Sequence, residues 1–470
     1  MTKIATYHRA GFPVLWIQTA EPDRTTAVMR AALDDDGVTL ATWDLLNGIV
    51  LPSGKEPRQD PVEAIEWLGN ASGATVLVCS LLHRFAASPE IQQAIISGAP
   101  KWKATERQLV VLAPPGVAPP VEIERIAHVL DEPLPTAAEL RGVVDTLASE
   151  NGVKVDADAT AEALRGLTVA EAENLVALSA VRGDGSVDVS DVQTEAATTI
   201  KTASGGALEL ARPLGGFDTL GGLEQIKSFC SRVVQSAEGR GCILLGPPGT
   251  GKTAFALALG AETGLPVYLW DLGRLFGSLV GESEASARRT IQAIEASGKC
   301  IVLIDEIEKG ASGMGGSGST DSGVTARTMG TVLTWLSDRK PGGTYVLATC
   351  NDVSKLPPEM TRAERWDATF FVDLPTAEER ERIFKIHAAT YKIEEPFPAA
   401  LTDGWTGAEI RSLCRVASML GAPLAEASRY VVPLSRSRSD EINALRKWAS
   451  GRCVPAGAPE SSAEEPKARK

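Results

Sequence analysis

The stretch "CILLGPPGTGKTAFALALGAE", Cys242–Glu262, decides the fold. A short apolar run, "CILL", reads as a strand, and the segment from Ala254 onward regains the apolar spacing of a helix. Between them Gly246–Thr253 fills the pattern G-x-x-x-x-G-K-[ST]. Glycines let successive backbone N–H groups turn toward phosphate oxygens, and the start of the following helix adds partial positive charge there. Pro248, Gly249, Thr250 and Gly251 form the cradle, Lys252 reaches the β and γ phosphates, and the Thr253 hydroxyl holds Mg²⁺. An ordinary Gly-rich turn is the competing reading, and the strand before and helix after weigh against it. ATP and Mg²⁺ are the implied cofactors.

Further along, "IVLIDE" is an apolar strand ending in Asp305 and Glu306. An Asp at a strand end beside a phosphate loop can bind Mg²⁺ through water, and the next Glu can polarise the water that attacks the γ phosphate; alone, two such acids are usually just solvated. The strand "YVLATCN" then brings Asn351 to the edge of the sheet where ligands of open α/β sheets bind. Asn351 could position the same water, although a lone Asn after a strand is more often a turn residue.

The 470-residue chain is too long for one hydrophobic core, so two or more domains are expected. A net charge of -13 and a pI near 5.1 oppose nonspecific binding to nucleic acid or anionic membrane. The seven cysteines are scattered and odd in number, which suits a reducing compartment. No stretch reaches the length of a membrane span, and a cytoplasmic location is expected.

One module is written twice. "LPTAAEL" (Leu134–Leu140) returns as "LPTAEER" (Leu374–Arg380), each following an apolar strand, a turn and a double proline. Upstream, "ATVLVCSLLHR" (from Ala74) faces "CIVLIDEIEKG" (from Cys300), and "VLWIQTAEPDRT" (from Val14) faces "CILLGPPGTGKT". Downstream, "LTVAEAENL" (from Leu167) faces "WTGAEIRSL" (from Trp405). The order never changes, as in a tandem repeat with loop insertions; shared α/β patterning without common design is the alternative. In this pairing the first copy has "QTAEPDRT" for the phosphate loop, with no glycine, with Glu21 and Asp23, and with Arg24 at the lysine position. Cys79 and Ser80 stand for Asp305 and Glu306, so the first copy should be catalytically dead.

The expected domains are 1–150, a degenerate α/β copy; 151–200, a helical lid-like piece; 201–213, a linker; 214–390, the ATPase base; 391–454, a helical lid; and 455–470, a disordered tail. Strands alternating with helices imply parallel sheets flanked by helices on both faces.

In order, "FDTLGGLEQIK", "GPPGTGKT", "LVGESEASARR", "IVLIDEIEKG", "LATCN", "PPEMTRAERWD" and "WTGAEI" resemble the AAA ATPases, a P-loop NTPase family. "DSGVTARTMGTVLTWL" and "AERWDATFFVDLP" are similar to a poorly characterised cyanobacterial and plastid-type group whose ATPase follows a long N-terminal region. The resemblance implies a homo-oligomeric ring, commonly a hexamer, in which Arg362 and Arg365 reach the γ phosphate of a neighbouring subunit. It places adenine against Leu220 and Gly221, with Ile383, His387 and Ala408 near the base and ribose; a plain helix-surface histidine is the competing reading for His387. It also sets Leu279, Val280 and Gly281 on a pore loop, with leucine where protein-threading relatives have an aromatic. The Gly/Ser-rich loop Gly310–Gly323 is expected to line that pore or move with nucleotide, with an inert linker as the competing reading. The implied activity is Mg-dependent ATP hydrolysis that remodels a protein partner, with nucleic acid and membrane disfavoured. A slow ATP-gated switch or assembly scaffold is the alternative.

Overall fold

The computed structural model describes residues 3–33, 37–211, 215–275, 282–311, 321–356 and 358–457. It divides into two compact units, Met1–Thr199 and Ile200–Lys470.

The first unit holds β1 (Val14–Gln18), β2 (Thr39–Asp44), β3 (Gly48–Leu51), β4 (Gly54–Glu56), β5 (Thr75–Ser80), β6 (Arg107–Ala113) and β7 (Ala127–Asp131). They form one sheet in the order β4-β3-β2-β5-β6-β1-β7. From β2 to β7 every neighbouring pair is parallel, and an antiparallel hairpin, β3 and β4, extends one edge. Central strands of such a sheet are covered on both faces, so β1 is buried along its whole length, with no apolar/polar alternation.

The second unit holds β8 (Leu208–Leu210), β9 (Gly241–Leu245), β10 (Val267–Trp270), β11 (Cys300–Ile304), β12 (Thr344–Cys350), β13 (Ala368–Phe371) and β14 (Val454–Pro455). Their order is β14-β13-β9-β12-β11-β10-β8. Its five central strands, β13-β9-β12-β11-β10, are parallel and repeat the order β7-β1-β6-β5-β2 of the first unit. This is an α/β P-loop NTPase architecture, preceded by a second AAA-like sheet of the same order.

Backbone hydrogen bonds fix the correspondence to the residue. Thr19 N–H donates to Ala113 O as Gly246 N–H donates to Cys350 O; Glu132 N–H donates to Gln18 O as Val372 N–H donates to Leu245 O. Leu109 N–H donates to Pro13 O as Val346 N–H donates to Arg240 O. Gln18 therefore stands where Leu245 stands, one residue away from the match made by letters. Ser80 and Leu81, not Cys79 and Ser80, take the places of Asp305 and Glu306. Leu81 (φ 64°) and Glu306 (φ 50°) share a left-handed backbone that non-glycine residues seldom adopt.

The repeated "LPT" and "T-x-A-E" segments have a physical reason. Thr136 with Glu139 and Thr376 with Glu379 are capping boxes, as are Thr168 with Glu171 and Thr406 with Glu409. Each N-cap satisfies helix N–H groups that would otherwise lack partners, a contribution of about 1 kcal/mol. In the second unit the helices Ala377–Tyr391 and Gly407–Leu420 pack Phe384, Ile410 and Leu413 around Trp405 to make the lid.

Two boundary expectations change. Within the supposed linker 201–213, Leu208–Leu210 is an edge strand paired antiparallel to β10, with Leu208 fully buried. Its neighbouring glycines masked the short alternation "ALEL". At the tail, Ala456 is buried, and its backbone bonds to Phe371 O and Ile226 N–H. Residues 458–470, the pore-loop residues Leu279, Val280 and Gly281, and 312–320 of the Gly/Ser-rich loop lie outside the described residues.

Candidate nucleotide site

The site grows from the six residues, Gly246–Gly251, that join β9 to the helix Lys252–Thr263. Gly249 (φ 81°) and Gly251 (φ 95°) need the left-handed region. A Cβ on Gly249 would come within 3.1 Å of the Ala408 Cβ, so that glycine also lets the lid helix close onto the loop. Lys252 opens the helix and is 6% exposed. Its Nζ donates to Gly246 O and Pro247 O, each at 2.8 Å. Burial pulls its ammonium down to about 8. A desolvated ammonium held only by carbonyls gains from an anionic oxygen, because charge-assisted bonds are the stronger kind.

Thr253 is the next helical residue, and its Oγ1 donates to Asp305 Oδ1 at 2.9 Å, which joins the phosphate loop to the end of β11. Thr349 Oγ1 donates to the same carboxylate oxygen at 2.5 Å and accepts from Glu306 N–H at 2.8 Å. A hydroxyl and a carboxylate oxygen in contact at the mouth of a phosphate loop suit Mg²⁺, which takes few protein ligands and fills its octahedron with phosphate oxygens and water.

Glu306 Oε1 accepts from Asn351 Nδ2 at 3.1 Å. Asn351 is itself fixed by its N–H, which donates to Glu308 Oε1 at 3.0 Å. Glu306 Oε2 pairs with Lys309 Nζ.

These groups border a cleft of about 570 Å³, within the size range of small-molecule sites. Pro248, Gly249, Thr250, Gly251, Lys252, Thr253, Asp305, Glu306 and Asn351 line it, as do Leu220, Gly221, Ile383, His387 and Ala408. A Cβ on Gly221 would lie 2.6 Å from Ile383 N, which explains the glycine where this segment crosses the helix Ala377–Tyr391. Burial, and secondarily the Arg411 charge, lower the His387 imidazole below its ordinary value.

The two expected trans arginines part company. Arg362 is exposed. Arg365 is 8% exposed and turned inward, with Nε donating to Ser337 Oγ at 2.7 Å and Nη1 to Glu359 O. Its own carbonyl accepts from Arg339. Within this chain Arg365 braces the loop that carries Arg362, and neither lines the cleft.

Sequence reasoning passed over Thr349, Lys309, Arg411 and Arg415. The two arginines line the cleft and fall three and seven residues after Ala408, on one face of the lid helix, a spacing that could have found them. Thr349 had no signal, since a threonine inside an apolar strand looks like a β-former.

The first unit is built differently at the same place. Only three residues, Thr19–Glu21, join β1 to the helix Pro22–Leu33. Pro22 thus holds the first helical position where the other unit has Lys252, and Arg24 is two residues farther in, which corrects its placement at the lysine position. Arg24 pairs with Glu21 at 3.4 Å and with Glu139 at 2.9 Å, and donates to Pro133 O at 2.9 Å. Glu21 also accepts from Val169 N–H, at the start of the helix that corresponds to the lid helix Gly407–Leu420. Burial raises the Glu21 carboxyl above its ordinary value.

Comparison with known proteins agrees with this division. Residues 242–374 match the model of the ATPase family associated with various cellular activities (AAA), and residues 1–132 match that of the SpoVK-like AAA ATPase, N-terminal domain. The chain carries an AAA ATPase domain behind a SpoVK-like AAA N-terminal domain. Along nearly its whole length it is similar to the uncharacterized AAA domain-containing protein ycf46 of Guillardia theta, at 28% identity over 94% of this chain and 93% of the relative. It is 32% identical to an ATP-dependent zinc metalloprotease FtsH of Pirellula staleyi over 39% of this chain and 27% of that protein. A Cell division cycle protein 48 homolog of Archaeoglobus fulgidus is 33% identical over 44% of this chain and 28% of its own. Among the described residues no helix is long and apolar enough to cross a membrane.

Proposed function

We propose that the second unit binds and hydrolyses Mg·ATP in a ring of like chains, a hexamer by family resemblance, and that the motion of lid against base remodels a protein partner in the cytoplasm. The observation that carries this reading is the continuous contact Thr253–Asp305–Thr349–Glu306–Asn351, which ties the phosphate loop to a carboxylate suited to activating water. Backbone N–H groups of Gly249, Thr250 and Gly251 and the Lys252 ammonium bind phosphates, with Pro248 shaping the loop. Leu220, Gly221, Ile383, His387 and Ala408 take the base and ribose. Thr253 and Asp305 would hold Mg²⁺, which would supply Lewis-acid stabilisation of phosphate charge. Glu306 accepts the proton of the attacking water, and Asn351 orients the Glu306 carboxylate.

Arg362, exposed and held by the Arg365 brace, is the candidate for compensating γ-phosphate charge in a neighbouring subunit. An acidic chain with pI near 5.1 is poorly suited to nucleic acid. The test is Glu306→Gln: it should retain ATP with near-parental affinity and lose turnover by about 10²-fold or more. Parental turnover in that variant would remove Glu306 from its role.

A slow ATP-gated switch or assembly scaffold is the second reading. It is favoured by the engagement of both Glu306 carboxylate oxygens, one with Asn351 and one with Lys309. Turnover measured with and without co-purifying proteins separates the two.

A further inference from the structure

Hydrolysis requires one Glu306 carboxylate oxygen to take a proton from water while the water oxygen bonds to the γ phosphorus and the bridging oxygen leaves with ADP. In this structure neither oxygen is unengaged. Oε1 accepts from Asn351 Nδ2 at 3.1 Å, and Oε2 is paired with the Lys309 ammonium. The two contacts differ in kind. An amide N–H positions the carboxylate, whereas the ammonium occupies the remaining oxygen and must be displaced before a water can donate to it.

Local geometry strengthens the pairing. Glu306 sits at φ 50°, so the chain turns sharply after β11 and begins the short helix Ile307–Ala311. Lys309 N–H closes that turn by donating to Glu306 O at 2.8 Å, which sets the two side chains on the same side. The Lys309 side chain is 69% exposed and that of Glu306 36%, so the pair lies at the rim of the cleft. Lys309 is not among the residues that line the cleft.

We propose that Lys309 is a positioning residue that restrains ATP hydrolysis by holding the Glu306 carboxylate in an ion pair, so that the resting chain turns ATP over below the rate its own base would support. The inference rests on the reading of Glu306 as the water-activating group and adds a control on it. A partly exposed pair of this kind is screened by salt and modest in strength, so the restraint is graded, not absolute.

The experiment is steady-state turnover of the full chain at saturating Mg·ATP for the parent, Lys309→Met, Lys309→Arg and Glu306→Gln. Lys309→Met should raise kcat about three- to fivefold with KM for ATP unchanged, and Lys309→Arg, which restores the charge, should bring kcat back toward the parent. Raising potassium acetate from about 0.05 to about 0.5 M should move the parent toward the Lys309→Met rate and leave the ratio near one at the high end. A purely structural lysine would produce no such convergence. Unchanged or lowered kcat in Lys309→Met overturns the proposal, as does a parent-to-variant ratio that ignores salt. If Glu306→Gln turns over like the parent, the underlying assignment of the base fails instead, and the two failures are told apart.

Discussion

The two units share a five-strand parallel order, the same register hydrogen bonds and the same pairs of capped helices, yet one connection separates them. After β9 the chain spends six residues before its helix; after β1 it spends three. Three residues cannot wrap a phosphate with successive N–H groups, and the space is closed by the chain's own charges, Glu21 against Arg24 and Val169 N–H. The carboxylate of Glu21 bonds the start of the lid-like helix from inside the chain. In the second unit the corresponding helix approaches the loop through Gly249 O, which accepts from Ala408 N–H at 3.1 Å, and the cleft beside it stays open. Sheet and caps therefore define the scaffold, while the length and composition of one loop decide whether it takes a ligand.

The largest expected effect follows directly. The whole chain should bind one ATP, and Lys252→Ala should abolish that binding, because the phosphate loop then loses its own buried cation. Calorimetric titration with Mg·ATP reads both quantities. A stoichiometry near two, or residual tight binding in Lys252→Ala, would place a nucleotide in the first unit and break the contrast.

A smaller effect tests the internal pair. Arg24→Ala leaves the Glu21 carboxylate, 8% exposed, without its cation. The first unit should lose about 1–3 kcal/mol, while ATP affinity stays at the parental value. Denaturant unfolding, together with amide exchange at Val169, follows the loss locally. Unchanged exchange at Val169 would show that Glu21 does not depend on Arg24.

Much of this contrast was legible in the letters, and what was not has a physical cause. Gly246–Thr253 could be read because glycine, lysine and threonine are each demanded by backbone geometry or charge. Asp305 and Glu306 could be read only beside the phosphate loop, since two acids at the end of an apolar strand are by themselves common and usually just solvated. The repeat was visible through Thr136 and Thr376, since capping constrains residue type. Its register was not visible, because strands such as "TVLVCS" and "CIVLI" carry interchangeable apolar letters, and only hydrogen bonding distinguishes a one-residue slip. The shortened loop after β1 was passed over, although Pro22, a residue favoured at the first helical position, offered a signal that the helix begins there. Arg365 misled for a different reason: an arginine near a ring-forming motif has the same letter whether its guanidinium faces out or, as here, bonds to Ser337 and Glu359. Strand β8 was lost among glycines that suggested only a linker.

The smallest expected effect concerns the charge state of Glu21. Burial raises its carboxyl, and the Val169 N–H and Arg24 only partly counter that. The folded unit therefore holds this proton more tightly than the unfolded chain. Its contribution to stability is fully present below the ordinary carboxylate range and is lost as pH rises through the raised folded value. Glu21→Gln imitates the protonated side chain and cannot titrate. Parent and variant should melt alike in mild acid, and the parent should fall behind by a few degrees at most as pH approaches neutrality. All other carboxylates are common to both proteins and cancel in the difference. Melting curves of the two proteins at matched ionic strength across that range provide the measurement. If the parent instead gains on the variant as pH rises, the pairing with Arg24 outweighs desolvation, and the closed loop of the first unit is held by attraction between charges more than by exclusion of water.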